Sequence, residues 1–224
     1  IQFIQILIKI LKCICIRCSN LLIDVNDPEL GTIKNKKELF TLVVEKCSKI
    51  NICGTSTEHG CGALQPSKYT KDGLSKIYAE WKDKSVNDEL ESDNKQLLTA
   101  EFIHKIFLRI TDSDCDAIGL SPKWCRPDWL ICSILPVPPP SVRPSVRQSG
   151  GMRSEDDITH KLIDIIKTNN HLKRKIENEK SLENTVDEWT HVLQYHIATL
   201  VDNELPGISA AIHRSGRALK TLKQ

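Results

Sequence analysis

The stretch Leu135-Pro-Val-Pro-Pro-Pro-Ser-Val-Arg-Pro-Ser145 divides the chain into two halves of different character. Its five prolines in eleven residues exclude a helix or a central strand, because proline lacks a backbone N–H and fixes φ at about −65°. Each proline also biases the residue before it towards an extended conformation. We therefore predict a stiff, polyproline-like strut that joins a cysteine-bearing half of mixed pattern to a long helical half.

The composition is that of an ordinary soluble protein with one or two domains. The 224 residues are 40% hydrophobic and 27% charged, with a formal net charge of +2, which is enough apolar content for a core. The apolar run over residues 1–11 is too short to span a bilayer and contains Gln2, Gln5 and Lys9, so we predict a buried strand or helix. Because the sequence starts at Ile1 and its sole methionine is Met152, we expect a processed form or an excerpt of something longer.

The cysteines favour a metal site over disulfides. The chain has nine of them, an odd number, and no secretory signal precedes them, so disulfides are a weaker interpretation than free thiols or metal ligands. Cys15 and Cys18 form a C-x₂-C pair, which can grip one zinc ion from a tight turn. A second pair, Cys53 and Cys61, lies in a segment whose glycines allow tight bending. These four are the best ligand set, and a site closed by four sulfurs would be structural.

Other cysteine assignments stay open at this stage. Cys13, Cys47 and His59 are alternates for one ligand of the zinc site. Free cysteines also serve as small buried hydrophobes, which is the interpretation we prefer for Cys115, Cys125 and Cys132.

The first half mixes helices and strands. A hydroxyl N-cap at Thr99 and an acid in the first turn predict a helix that continues to Ile110 and is ended by residues 112–119. The other expected elements are a helix over 36–49, a turn over 66–73, a strand over 74–81, a polar surface loop over 83–94 and a strand over 129–135.

The segment after the strut is basic. Arg143, Arg147 and Arg153 alternate with glycines and serines, which indicates either a mobile basic segment or an ordinary solvated loop. Ser154-Glu-Asp-Asp157 then resembles a capping box, so we expect Ser154 to cap the helix that follows.

Two apolar seams, separated by the polar residues 177–181, predict an antiparallel helical hairpin. Asn169 and His196 are the polar members of these seams and would fix the register. The hairpin serves either for packing or as a docking arm. The seams consist of Ile158, Leu162, Ile165, Leu172 and Ile176 in the first helix, and of Leu182, Val186, Trp189, Leu193, His196 and Leu200 in the second.

Residues 206–224 contain no acid and carry Arg214, Arg217, Lys220 and Lys223. We expect a loop and a short helix there. This spacing of basic residues suits a nucleic-acid backbone, and the alternative is a solvated end.

Several motifs, in order, resemble the largest subunit of multisubunit DNA-directed RNA polymerases, of the eukaryotic nuclear type or its relatives in large DNA viruses. Cys15-x-x-Cys18 and Gly60-Cys-Gly62 match it upstream. The downstream motifs are Arg126-Pro-Asp-Trp129, the proline stretch, Ser154-Glu-Asp-Asp157, Lys161-Leu-Ile-Asp-Ile-Ile-Lys167 and Ser215-Gly-Arg217.

The resemblance implies an α+β fold made of four parts. These are a clamp head with one structural zinc on Cys15, Cys18, Cys53 and Cys61 over residues 1–134, a proline-rich strut and lid-like loop over 135–157, an antiparallel clamp-helix hairpin over 158–202, and a rudder-like basic segment over 203–224.

The resemblance also implies the ligands and partners. Nucleic acid would contact Arg143, Arg147, Arg153, Arg214, Arg217, Lys220 and Lys223. Transcription initiation or elongation factors would dock near the hairpin tip, at His171, Lys173, Arg174 and Lys175. The other partners would be the second-largest polymerase subunit, further subunits, template DNA and the RNA–DNA hybrid, with no membrane.

The catalytic magnesium motif of that family, Asn-Ala-Asp-Phe-Asp-Gly-Asp, does not occur in this sequence. We therefore expect a part of a nucleotidyltransferase that is inactive alone, with Mg²⁺ bound elsewhere in the whole enzyme, and located in the nucleus or at a viral replication site. The alternative is a free-standing zinc and coiled-coil interaction module without polymerase function. An independent enzyme built on His160, Asp164 and Ser154, or on Cys61 with His59, is disfavoured because no nucleophile elbow accompanies these residues.

Overall fold

The computed structural model describes residues 2–57, 60–81, 94–147, 150–151, 153–178 and 182–223. The chain divides into two compact units. The first comprises residues 1–72 and 76–134, and the second comprises residues 73–75 and 135–224. Within the described residues, no helix is long and apolar enough to cross a membrane.

The first unit is built from helices around one apolar core. Helix α1 supplies Ile10 and Leu11, both almost fully buried, and packs against α3, which supplies Val43. The apolar run at the start of the sequence is therefore a helix, one of the two forms expected. The helices of this unit are α1 (Gln2–Cys13), α2 (Pro28–Thr32), α3 (Lys36–Cys47), α4 (Ala100–Leu108), α5 (Asp112–Ile118) and a 3-10 turn (Pro127–Leu130).

A three-stranded antiparallel sheet completes this unit, with strand order β1 (Lys68–Asp72), β2 (Lys76–Glu80) and β3 (Lys95–Leu98). Successive side chains alternate between its faces, so that Tyr69, Ile77 and Leu98 reach the core. The Tyr69 hydroxyl donates a hydrogen bond to the carbonyl oxygen of Leu11, 3.2 Å away. The sheet therefore packs over the end of α1.

Three sequence-based expectations for this unit were wrong. Residues 66–73 were expected to be a turn but contain β1, because Tyr69 finds a core position and only the stretch from Gly73 turns. Residues 112–119 contain α5 (Asp112–Ile118), which the Thr111 hydroxyl caps by accepting a hydrogen bond from the Asp114 N–H. The expected strand over 129–135 is absent, because Pro127 starts a 3-10 turn there.

The Thr99 cap is confirmed, because its hydroxyl accepts a hydrogen bond from the Phe102 N–H. The polar loop expected over 83–94 lies outside the described residues except for Asn94.

The second unit begins with the proline stretch. Residues 135–145 form neither helix nor strand, and the Val142 N–H donates to the carbonyl oxygen of Pro139 over 3.0 Å, which makes a turn. A two-stranded ribbon follows, formed by β4 (Val146–Arg147) and β5 (Arg153–Ser154).

Two long helices follow the ribbon, α6 (Asp157–Glu177) and α7 (Glu183–Val201). Lys161 near the start of α6 contacts His196 near the end of α7, and His171 contacts Trp189 further along. The two helices therefore run in opposite directions. Leu162, Ile165 and Leu200 form the apolar cluster between them.

Two details of the helical half differ from the expectation. Asp156 caps α6 by accepting from the Ile158 N–H, because Ser154 is taken up in β5 and pairs with Val146. Asn169 is exposed, and its neighbour Thr168 takes the buried polar position instead, since the buried stripe follows the helical period and not a strict heptad.

Residues 203–223 form a folded loop. The short helix expected there is absent from its described residues. Ile212 instead forms an isolated β-bridge with Ala218, because Gly216 takes a left-handed φ of 82° and reverses the chain.

Candidate metal centre and basic surfaces

The structure brings four cysteine sulfurs together in the first unit. The Sγ atoms of Cys15, Cys18, Cys53 and Cys61 all lie within 4.8 Å of one another. The Cys15–Cys61 and Cys18–Cys53 sulfur pairs are 3.5 and 3.7 Å apart. Sulfurs that bind zinc tetrahedrally at about 2.3 Å lie about 3.8 Å from one another. The cluster is therefore compatible with a structural zinc ion.

The first cysteine pair lies on a tight turn directly after α1. The Ser19 N–H donates to the carbonyl oxygen of Cys15, and the Cys15 N–H donates to that of Asn20, both over 2.9 Å. Ser19 adopts a left-handed φ of 68° and is buried. This closed turn aims both sulfurs to the same side.

The second pair lies on a loop whose ends are tied together. The Cys53 N–H donates to the Ala63 carbonyl oxygen over 3.0 Å, and the Gly62 N–H donates to that of Cys53 over 3.1 Å. Gly54 and Gly60 cross so closely that a Cβ on Gly60 would overlap the backbone of Gly54. Glycine is required at this crossing because no side chain fits between the two backbones.

Gln65 supports the cluster and was missed as a site residue by sequence reasoning. Its side chain is buried, and its Nε2 donates to the Cys15 Sγ over 3.2 Å. Its Oε1 accepts from the Ile16 N–H over 3.1 Å. The signal in the sequence was a Gln-Pro pair placed shortly after Cys61, where outer-sphere donors to metal-bound sulfur are expected.

The thiols of the cluster differ in acidity. Burial opposes ionisation of Cys15, but the N–H groups of Cys18 and Arg17 and the neighbouring thiols lower its pKa to about 7. Burial, with the thiols of Cys18 and Cys15, raises the pKa of Cys53 to about 12. A zinc ion would displace the remaining protons, since thiolates are its ligands.

Two of the three alternate ligands lie outside the four-sulfur group. Cys13 and Cys47 are buried and do not belong to the four-sulfur group. The hydrogen bond with the Cys47 thiol, together with burial, raises the pKa of Cys13, so Cys13 stays a neutral thiol. His59 lies outside the described residues.

The three remaining cysteines differ in burial. Cys115 is buried as expected, whereas Cys125 and Cys132 are exposed. The expectation of small buried hydrophobes was wrong for these two, because they flank the 3-10 turn on irregular chain that does not enter the core.

The three arginines at the end of the proline stretch and in the ribbon have different environments. Arg147 and Arg153 face each other across the β4–β5 register, and both are exposed. Like charges in this arrangement repel, and neither side chain has a partner within the described part of the chain. Arg143 is instead half-buried and donates to the Pro138 carbonyl oxygen and the Thr159 hydroxyl, 3.0 and 3.2 Å away.

The four basic residues of the last segment also differ from one another. Arg217 forms a bidentate ion pair with Asp157, with distances of 2.7 and 2.8 Å. Lys223 pairs with Asp202 over 2.8 Å. The side chains of Arg214 and Lys220 are exposed, without a hydrogen bond or ion pair to any described residue.

Two of the four residues expected to dock a transcription factor already contact another side chain of this protein. The His171 ring packs on that of Trp189, with centroids 4.1 Å apart. Lys173 lies 3.9 Å from Glu177, Arg174 is exposed and Lys175 is half-buried.

Comparison with known proteins gives one consistent result. The protein family described as "RNA polymerase Rpb1, domain 1" matches residues 1–224. The chain is similar to the DNA-directed RNA polymerase subunit Rpo1N of Methanocaldococcus jannaschii, with 37% identity over 233 residues. This match covers all of the chain but only 16% of the archaeal subunit. The chain belongs to the RNA polymerase Rpb1 domain 1 family, found in the largest subunit of DNA-directed RNA polymerase.

Proposed function

We propose that this chain is the clamp part of the largest subunit of a DNA-dependent RNA polymerase and holds template DNA and the RNA–DNA hybrid during transcription. The observation that carries the proposal is the four-cysteine cluster in a chain that the family matches from end to end. The closed ligand set leaves no position for substrate or water, so the zinc ion would be structural. Its place is the clamp head, residues 1–134.

The nucleic-acid surface belongs to the second unit. Arg147, Arg153, Arg214 and Lys220 are the exposed cations of the lid-like and rudder-like segments that lack an acidic partner among the described residues. Such cations gain the most from contact with phosphate, because they give up no internal ion pair. α6 and α7 form the clamp-helix hairpin, and Arg174 at its far end is available to a transcription factor.

Catalysis would belong to the whole enzyme. The magnesium motif does not occur among the 224 residues, so the chain would act through structure and nucleic-acid contact. It would assemble with the second-largest subunit and other subunits, in the nucleus or at a viral replication site.

The test uses the assembled polymerase that contains this chain. In one variant, the four cations of the nucleic-acid surface are replaced by glutamine, and binding to an RNA–DNA hybrid scaffold is measured against salt. The slope of log K against log [salt] should fall by roughly 0.7–0.9 for each phosphate that the variant no longer neutralises. The matched control replaces four exposed lysines of the first unit, Lys34, Lys37, Lys71 and Lys76. Equal slopes in both variants would contradict the proposal and favour an interaction module.

A further inference from the structure

We propose that Arg217 is a positioning residue, whose ion pair with Asp157 fixes the basic segment 203–223 so that Arg214 and Lys220 meet nucleic-acid phosphates. The inference rests on the proposed function, because it concerns how the same surface is presented. It gives Arg217 a different role from the direct nucleic-acid contact expected from the sequence.

Asp157 is the anchor. It lies in the first turn of α6 and is buried. Its carboxylate accepts hydrogen bonds from both Nη groups of Arg217. It also accepts one from the backbone N–H of Lys220, over 3.0 Å. The hydrogen bonds from Arg217 hold the pKa of this carboxyl below its usual value. A bidentate pair of this kind fixes direction as well as distance, so residues 217–220 are tied to the helix.

The buried side chain of Asn203 also stabilises this segment. Its buried amide donates to the carbonyl oxygens of Ala211 and Leu219 over 2.9 and 3.0 Å and accepts from the Ala211 N–H over 2.7 Å. All three contacts are to backbone groups. They join the two sides of the folded loop to the second residue after α7, and they occupy no side chain of the loop other than that of Asn203.

Between these two anchors the chain makes a tight turn. The Gly216 N–H donates to the His213 carbonyl oxygen over 2.9 Å, and the His213 N–H donates to that of Arg217 over 2.7 Å. Arg214 lies in this turn and is exposed. Arg214 and Arg217, three positions apart, therefore have different roles. The charge of Arg217 is neutralised internally, whereas that of Arg214 is available to a ligand.

Because of this difference, the direction in which one substitution changes hybrid binding distinguishes the two possible roles of Arg217. Asp157→Asn keeps the size of the side chain but removes the charge that holds Arg217. If Arg217 positions the segment, the loop loosens and hybrid binding weakens. If Arg217 contacts phosphate directly, its release from Asp157 strengthens hybrid binding and steepens the salt slope.

The experiment uses the assembled polymerase with Asp157→Asn, Arg217→Gln or Arg214→Gln. Asp187→Asn is the matched control, because it changes the charge equally at an exposed site of α7. Two quantities are measured: hydrogen exchange of the amides in 211–220, and the salt dependence of binding to an RNA–DNA hybrid scaffold.

We expect Asp157→Asn and Arg217→Gln each to speed amide exchange roughly ten- to hundredfold, as removal of a charge-assisted hydrogen-bond pair would, and to weaken hybrid binding without steepening the salt slope. Arg214→Gln should leave exchange unchanged and lower the slope by roughly 0.7–0.9. Unchanged exchange in Asp157→Asn, or tighter binding with a steeper slope, would overturn the positioning role. If exchange changes as expected but no variant alters hybrid binding, the anchor stands and the nucleic-acid function fails.

Discussion

The crossing of Gly54 and Gly60 allows a test of the metal centre that leaves every ligand in place. In Gly60→Ala, the added methyl group would overlap the Cα and N atoms of Gly54 and lie 2.7 Å from the carbonyl carbon of Cys53. Carbon atoms in contact sit about 3.5–4.0 Å apart, so the backbone beside Cys53 must move by about 0.8 Å or more. Metal–ligand distances tolerate only about 0.2 Å. We therefore expect Gly60→Ala to lose the zinc ion.

The measurement is the zinc content of the purified polymerase, determined by mass spectrometry, together with its thermal unfolding. Gly60→Ala should contain one zinc ion fewer per enzyme than the parent. The matched control is Gly62→Ala. Gly62 has a left-handed φ of 70° but open space around its Cα, so this change should cost about 1–2 kcal/mol of backbone strain and retain the metal. Full zinc content in Gly60→Ala would refute the reasoning, because it would show that the two backbones can separate without disturbing the sulfurs.

Three further outcomes follow from the hydrogen bonds, burial and ligand group described above. Asn203→Ala leaves buried backbone groups unpaired and should lower the free energy of unfolding by about 1–3 kcal/mol, whereas the exposed Asn170→Ala should change the melting temperature little. The pKa of His196 is lowered by burial and by the nearby Lys161. Since its folded pKa lies below the unfolded value of about 6.5, the stability it contributes is present above that pH and lost as pH falls through the folded pKa. The melting temperature of the parent should therefore fall faster than that of His196→Gln between pH 7 and 5. Cys47→Ala should keep its zinc ion, because Cys47 lies outside the four-sulfur group.

Each outcome has a result that would contradict it. Equal melting temperatures for the two asparagine variants would show that the amide contacts of Asn203 contribute nothing. If the melting temperatures of the parent and of His196→Gln fell in parallel with pH, the burial of His196 would not contribute to the pH dependence of stability. Zinc loss in Cys47→Ala at unchanged melting temperature would make Cys47 a ligand.

Local signals in the sequence predicted several elements of the fold and the four cysteines that the structure brings together. The Thr99 cap depends only on the residues that follow it, and it was found where expected. Each cysteine pair could be recognised from its own local turn, made by Ser19 for the first pair and by the glycines after Cys53 for the second.

Contacts between distant residues could not be predicted in this way. Tyr69 belongs to a strand because its hydroxyl reaches the end of α1, which no pattern near it reveals. Arg217 looked like any basic residue of its segment, yet its partner Asp157 lies sixty positions earlier. Gln65 contacts Cys15 from fifty positions away. In each case the role is set by tertiary packing, which overrides the local pattern.

The separation of Cys18 from Cys53 implies a second effect of a zinc ion bound at the four-sulfur group, on the entropy of the chain. The two cysteines are 35 positions apart, and α3 lies wholly between them. A zinc ion bound to both would close this stretch into a ring, and closing a ring of this length removes chain entropy equivalent to about 4 kcal/mol at 25 °C. We therefore expect opening of α3 and release of a bound zinc ion to be coupled. The rate at which the protein exchanges zinc should report how often α3 opens, although the four-sulfur group contains no residue of that helix.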